Sequence, residues 1–242
     1  MLSAYAAQLL RIDADILSLH KKSLLSGAQF LHTEIPMLTG EPDGVIQTYK
    51  IGTKEGYASK VYGSPDAPCS WDLMEKGEHP AWSLRATYAT LWDMYEQQIE
   101  SVQIGPAVAS ILPNRYDLVI STIPAQMICG NPAHTFQSQT VWFEDKSSVQ
   151  GLDGNYIVYN GKHDTSWYRS SSLFGVGQTE YSDHRACWEA EPPPASWQGI
   201  KPTTNNCNCH PRILRVGRFG KWQKAVLTHH AFREAFDAMQ QL

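Results

Sequence analysis

The chain has 242 residues, a mass of 27.1 kDa and 42% hydrophobic side chains, enough for one generous core or two modest lobes, which argues against a disordered tail. Its 20 Lys and Arg are outnumbered by 24 Asp and Glu, giving a net charge of -4 and a pI near 6.1, so it lacks the basic footprint of a nucleic-acid binder. No apolar run approaches the roughly 18 residues that span a bilayer, and the opening residues lack the order of a signal peptide. A cytoplasmic protein acting on a small molecule, away from nucleic acid and membrane, is therefore expected. Five cysteines, Cys69, Cys129, Cys187, Cys207 and Cys209, form an odd set without disulfide-scaffold spacing, which fits a reducing compartment.

In chain order, Leu2, Tyr5, Leu9 and Ile12 fall at helical spacing, and residues 15–19 read as a short strand. Residues 23–44 mix small residues, prolines and glycines and read as an extended surface loop. β-Branched and aromatic residues from Val45 to Val61, broken at Gly52 and Gly56, suggest a hairpin or meander, followed by a loop over 64–80. Leu84, Tyr88, Leu91, Trp92, Tyr95 and Ile99 mark one face of a helix of about four turns. Residues 117–124 form a nearly continuous apolar run ended by proline, the pattern of a strand buried on both faces in a sheet interior. Val141 to Phe143 and Tyr156 to Tyr159 read as further strands, 191–206 as a surface connection, Ile213 to Val216 as a last strand, and Phe232, Ala235, Phe236, Met239 and Leu242 as one face of a final helix starting near Thr228. This alternation favours an α/β or α+β fold in two interleaved parts.

Two constellations could carry chemistry. In Arg215-Val216-Gly217-Arg218-Phe219-Gly220-Lys221-Trp222 the glycines let backbone approach a ligand, Arg218 can pair with a phosphate, and the helix start that follows favours negative charge. A glycine turn with a surface arginine has the same appearance. Cys207-Asn208-Cys209-His210 puts three possible zinc ligands into four residues, with Cys69 or Cys187 as a possible fourth, although C-x-C-H is not a standard finger spacing. His229 and His230 point about 100° apart on a helix, so capping and surface roles suit them better than sharing an ion. There is no G-x-S-x-G elbow for nucleophilic catalysis.

The segment VGRFGKWQKAVLTHHAFREAF resembles the flavin-contacting C-terminal segment of the amine-oxidase and UDP-galactopyranose mutase flavoproteins. YDLVISTIP resembles their strand returning to the dinucleotide domain, SGAQFLH their small-residue loop beside the flavin, and YIVYNGKHDTSWYRSSSLFG a mutase-like strand and Tyr-Arg-Ser turn. MLSAYAAQLL with DADILSL is similar to their first helix and second strand. The resemblance implies an α/β fold: a Rossmann-like FAD-binding lobe (1–44, 111–135 and 207–242) and an inserted α+β substrate lobe (45–110 and 136–206). It implies FAD as cofactor of an oxidoreductase-like protein, contacted by Gly27, Ala28, Gly217, Arg218, Gly220, Leu227 and Thr228, with Tyr159, Tyr168 and Arg169 facing a small-molecule substrate. No catalytic residue is identifiable; the flavin would do the difficult chemistry. The chain departs from the family in starting after the first strand and its G-x-G-x-x-G turn, and in having His20-Lys21-Lys22 where an acidic ribose ligand is expected. The texture is also similar to small flavoprotein-like sequences of actinobacterial viruses, which implies phage origin and a host-cytoplasmic location. The alternatives are a cofactor-free binding protein derived from a flavoprotein, and a zinc-stabilised domain using Cys207, Cys209 and His210.

Overall fold

A computed structural model describes residues 1–18, 30–74, 77–183 and 196–242. The elements are, in order, α1 (Leu2–Leu9), β1 (Ile16–Ser18), β2 (Phe30–Leu31), β3 (Gly44–Gly52), α2 (Lys54–Tyr62), β4 (Gly77–Ser83), α3 (Leu84–Tyr95), β5 (Ile99–Ser101), α4 (Pro106–Ile111), β6 (Val119–Ser121) and α5 (Ala125–Ile128). They continue with β7 (Phe136–Glu144), β8 (Asn155–Gly161), β9 (Trp167–Leu173), β10 (Val176–Ser182), β11 (Trp197–Asn205), β12 (Ile213–Arg215), α6 (Gly217–Lys221) and α7 (Thr228–Met239). The fold is mixed α/β. Among the described residues no helix is long and apolar enough to cross a membrane.

The chain divides into two compact units, residues 1–40, 84–138 and 202–242 in unit one, and 41–83 and 139–201 in unit two. Residues 84–110, assigned from sequence to the inserted lobe, lie in unit one.

Unit two is built on strands in the order β11-β7-β10-β9-β8-β3-β4. β3 pairs parallel with β8, Gln47 opposite Tyr156, and antiparallel with β4. α2 covers this sheet, and Tyr57 and Val61 on its inner face join Val141, Phe143 and Tyr168 in the core. The hairpin or meander expected over 45–61 is therefore half helix. Thr53 caps α2, its Oγ1 accepting from the Gly56 N–H at 3.0 Å, and Gly63 closes it in the left-handed region. Gly56 is a packing glycine: a Cβ there would lie 1.9 Å from the Gly161 carbonyl oxygen of β8. The Tyr-Arg-Ser turn is corrected to strand: Tyr168, Arg169 and Ser170 lie within β9, and the reversal comes later at Phe174 (φ 50°) and Gly175 (φ 79°), a two-residue turn between β9 and β10. The loop read over 64–80 ends in β4, and the described part of the connection read over 191–206 is largely β11, in which exposed and half-buried residues alternate except at the buried Pro202.

In unit one α1 packs on α7, with Tyr5 and Phe232 ring centroids 6.4 Å apart. β1 pairs parallel with β5, and β6 pairs parallel with β12, each as a two-stranded sheet among the described residues. Ile104, Ala109, Ile128 and Ile213 form a core against which Leu17 of β1 and Val119 of β6 both pack. The run at 117–124 is thus a three-residue strand with one partner among the described residues, where a sheet interior was expected. α3 buries Thr87, Leu91, Trp92 and Tyr95 and is an ordinary core helix of this unit.

Candidate metal centre

Four side chains converge in unit one: Cys129, His134, Cys207 and Cys209 offer ligand atoms that all lie within 4.8 Å of one another. Local structure explains the convergence. Pro124 starts the single turn of α5 directly after β6, and at Cys129 the backbone becomes extended and leaves the helix. Asn131 then folds the chain back, its Oδ1 accepting from the Ala133 N–H at 3.0 Å and its carbonyl from the His134 N–H at 3.1 Å. The His134 ring returns onto the thiol it follows.

The second pair comes from the loop between β11 and β12. Asn205 Oδ1 accepts from the Cys207 N–H at 2.9 Å, and the Arg215 guanidinium donates to the carbonyls of Cys207 and Cys209 at 3.0 and 3.1 Å. The two loops are laced together where the Thr135 N–H donates to Asn206 Oδ1 at 2.7 Å. Arg215, read from sequence as part of a ligand-binding turn, here shapes the C-x-C loop.

Three of the separations match the edges of one face of a zinc tetrahedron, with Cys207 within 4.8 Å of the other three ligand atoms. Zinc–sulfur bonds of about 2.3 Å and zinc–nitrogen bonds of about 2.0–2.1 Å imply S···S edges of about 3.8 Å and S···N edges of about 3.5 Å. Cys129 Sγ lies 3.8 Å from Cys209 Sγ and 3.3 Å from His134 Nδ1, and Cys209 Sγ lies 3.6 Å from the same nitrogen. Nε2 of His134 lies 3.2 Å from Asn131 Nδ2, and Nδ1 is turned to the sulfurs. Burial raises the Cys129 thiol to about 11. It acts the same way on Cys207, but there the Cys209 backbone, the Cys129 thiol and Arg215 outweigh it and lower the pKa.

Sequence reasoning found two of the four clustered residues, Cys207 and Cys209. His210 is corrected: its backbone is left-handed (φ 55°) and its Nε2 sits 2.9 Å from the Ile128 carbonyl oxygen, outside the cluster. Cys69 packs against the aromatic core of unit two, and Cys187 lies outside the described residues. The C-x4-H pair at Cys129 and His134 was legible as metal-ligand spacing, but it sits 73 residues before Cys207 and was missed.

Of the residues that the flavoprotein resemblance implies, Gly27 and Ala28 lie outside the described residues. Gly217 (φ 73°) opens α6, and a Cβ on Gly220 would come 2.7 Å from the Ser121 carbonyl oxygen, so this glycine lets α6 lie against the end of β6. Arg218 is half-buried in α6, and Leu227 and Thr228 form the start of α7, where the Leu227 N–H donates to His230 Nδ1 at 3.3 Å. His230 thus caps as expected. His229 departs from expectation: it is buried, beside the rings of His32 and His230, and burial lowers its pKa to about 4.

In unit two Tyr159, Tyr168 and Tyr57 meet ring to ring, and Tyr168 donates to Glu180 Oε2 at 2.6 Å. Arg169 and Lys201 both pair with the same carboxylate. Burial pushes Glu180 up, but Arg169 and then Lys201 outweigh it and hold the carboxyl at about 2. The structure thus gathers Tyr159, Tyr168 and Arg169, with Tyr168 and Arg169 engaged by Glu180. No protein-family model matches the chain, and no curated protein matches it significantly.

Proposed function

We propose that this chain is a zinc-stabilised α/β protein whose structural centre is Cys129, His134, Cys207 and Cys209. The observation that carries the reading is the convergence of four ligand atoms within 4.8 Å, three of whose separations fit one face of a zinc tetrahedron. Four protein ligands leave no open position for a substrate water, so the role is structural, not Lewis-acid catalysis. The ion joins the segment leaving β6 to the segment entering β12, and so reinforces the pairing of two three-residue strands. Thiolate-rich ligation suits zinc above magnesium or calcium.

Elemental analysis of the purified chain tests this, with about one zinc per chain expected. Cobalt substitution should give the visible bands of a tetrahedral thiolate site. A chain that takes up no zinc or cobalt after reduction and refolding with either metal would sink the reading.

A second reading keeps the FAD-dependent oxidoreductase-like protein acting on a small molecule. Two parallel strand pairs and the strand, glycine and helix order at 213–239 favour it. Arg218→Ala should then weaken FAD binding about tenfold or more, as loss of a charge-assisted phosphate contact does. Flavin absorbance during titration measures this, and equal affinity in both forms would remove Arg218 from the site.

A further inference from the structure

We propose that the face of the unit-two sheet beneath α2 binds a small molecule that carries an oxyanion, a carboxylate or a phosphate, beside a planar ring. The site is built across one line of the sheet. Lys50 lies opposite Tyr159, Tyr159 opposite Arg169, Arg169 opposite Glu180, and Glu180 opposite Phe143. Residues opposite one another share a face of a sheet. Here it is the face onto which Tyr57 of α2 packs, its ring centroid 6.1 Å from that of Tyr159 and 5.2 Å from that of Trp71. Pairing slips by one residue where Tyr181 faces Trp167, which leaves Tyr168 as the extra residue of a β-bulge. Neighbours in a strand ordinarily point to opposite faces, but at this bulge Tyr168 and Arg169 meet the two oxygens of the same carboxylate.

Charge and unused donors point to an anion. Arg169 and Lys201 share Glu180, so one buried carboxylate answers two cations, and Lys50 adds a third, its Nζ 5.5 Å from the centroid of the Trp71 ring. Of the several N–H groups of Arg169, one on Nη2 reaches Glu180 and the rest have no acceptor among the described residues, while 26% of the side chain stays exposed. Tyr57 is 5% exposed, yet its hydroxyl makes no hydrogen bond among the described residues, and neither does that of half-buried Tyr159. A buried phenol without a partner costs stability unless something accepts from it. An oxyanion would satisfy the phenols and the guanidinium together, because the arginine fork pairs with carboxylate and phosphate through parallel N–H bonds. The rings of Tyr57, Tyr159 and Trp71 border the same position and suit a planar group. Tyr168 holds the floor instead, its hydroxyl already committed to Glu180 and Lys201.

The site lies wholly in unit two, and binding there requires neither zinc nor flavin. Benzoate, phenyl phosphate and inorganic phosphate titrated into the full chain by calorimetry test it, with benzylamine as a cationic control. One of the two ring-bearing anions should bind saturably and about tenfold more tightly than inorganic phosphate, and the tighter of them identifies the oxyanion. Arg169→Lys should weaken that binding about tenfold, since lysine lacks the planar fork. Tyr57→Phe should weaken it about threefold to tenfold while leaving the urea midpoint unchanged or higher, because the hydroxyl removed has no bond to lose in the free protein. The proposal is overturned by the absence of saturable anion binding, by benzylamine or inorganic phosphate binding as tightly as the ring-bearing anions, or by a Tyr57→Phe chain that keeps full affinity.

Discussion

His210 sits next to Cys209 in sequence, and its ring still belongs to a backbone carbonyl. Adjacent residues in an irregular loop diverge, so C-x-C-H did not reveal which of its members converge; that depended on a turn 73 residues earlier. Cys129→Ser or Cys209→Ser should therefore abolish stoichiometric zinc binding. His210→Ala should retain the metal and lose about 1 kcal/mol with its hydrogen bond. Metal content and denaturant midpoints measured side by side separate the two. Glu180 is the other residue on which much depends, being 1% exposed with Arg169 and Lys201 as partners. Glu180→Gln removes the charge that both cations face and should cost about 3–5 kcal/mol in urea unfolding. Its carboxyl is lower in the folded chain than in the unfolded one, so its contribution is complete above about 4.5 and is lost as pH falls toward about 2. His229 acts in a higher window. Its folded pKa of about 4 lies below 6.5, so the unfolded chain binds the proton first and stability falls as pH drops between those values. Replacing His229 with Phe should flatten that part of the stability profile.

Among the elements, those with one dominant period were legible. α1, α3, α7, β1, β6, β8 and β12 fall where apolar spacing put them, because each buries a single face or a short run. α2 was not legible. Its sequence carries Gly56 and β-branched Val61, and it is helical because Thr53 and Gly63 fix its ends while Gly56 fits beneath β8. β9 and β10 were hidden by three consecutive serines, two of whose hydroxyls are satisfied inside the sheet: Ser170 lies 3.0 Å from Thr179 Oγ1, and Ser171 donates to the Gln178 carbonyl oxygen. Close approach of α2 to β8 yields a sharp prediction. A Cβ on Gly161 would fall 1.8 Å from the Thr53 carbonyl oxygen, so Gly161→Ala should cost about 1–3 kcal/mol or more by forcing the two elements apart. Gly105→Ala, with nothing within 4 Å of the new methyl, should stay within about 0.5 kcal/mol. Equal midpoints for the two variants would show that the contact is not tight.

For the whole molecule, interleaving of two parts was readable from the change of texture along the chain, but the boundaries were set by contacts that no local pattern reports. The Cys/His cluster belongs wholly to unit one, so if it holds zinc as proposed, chelation should speed amide exchange around residues 125–135 and 205–216 and leave β8 to β10 protected. Hydrogen exchange with and without chelator is the measurement, and uniform loosening of both units would contradict the assignment. The order of the segments also sets a timetable at the ribosome. All of unit two has been made before residues 202–242 follow, whereas unit one waits for them. Cys129 and Cys209 are 80 residues apart, which at about 5–20 residues per second is roughly 4–16 s of elongation. If the cluster holds zinc as proposed, for that interval every nascent chain carries Cys129 and His134 as half of a binding site, open to oxidants and to the wrong ion, and capture of zinc is among the last events in its birth.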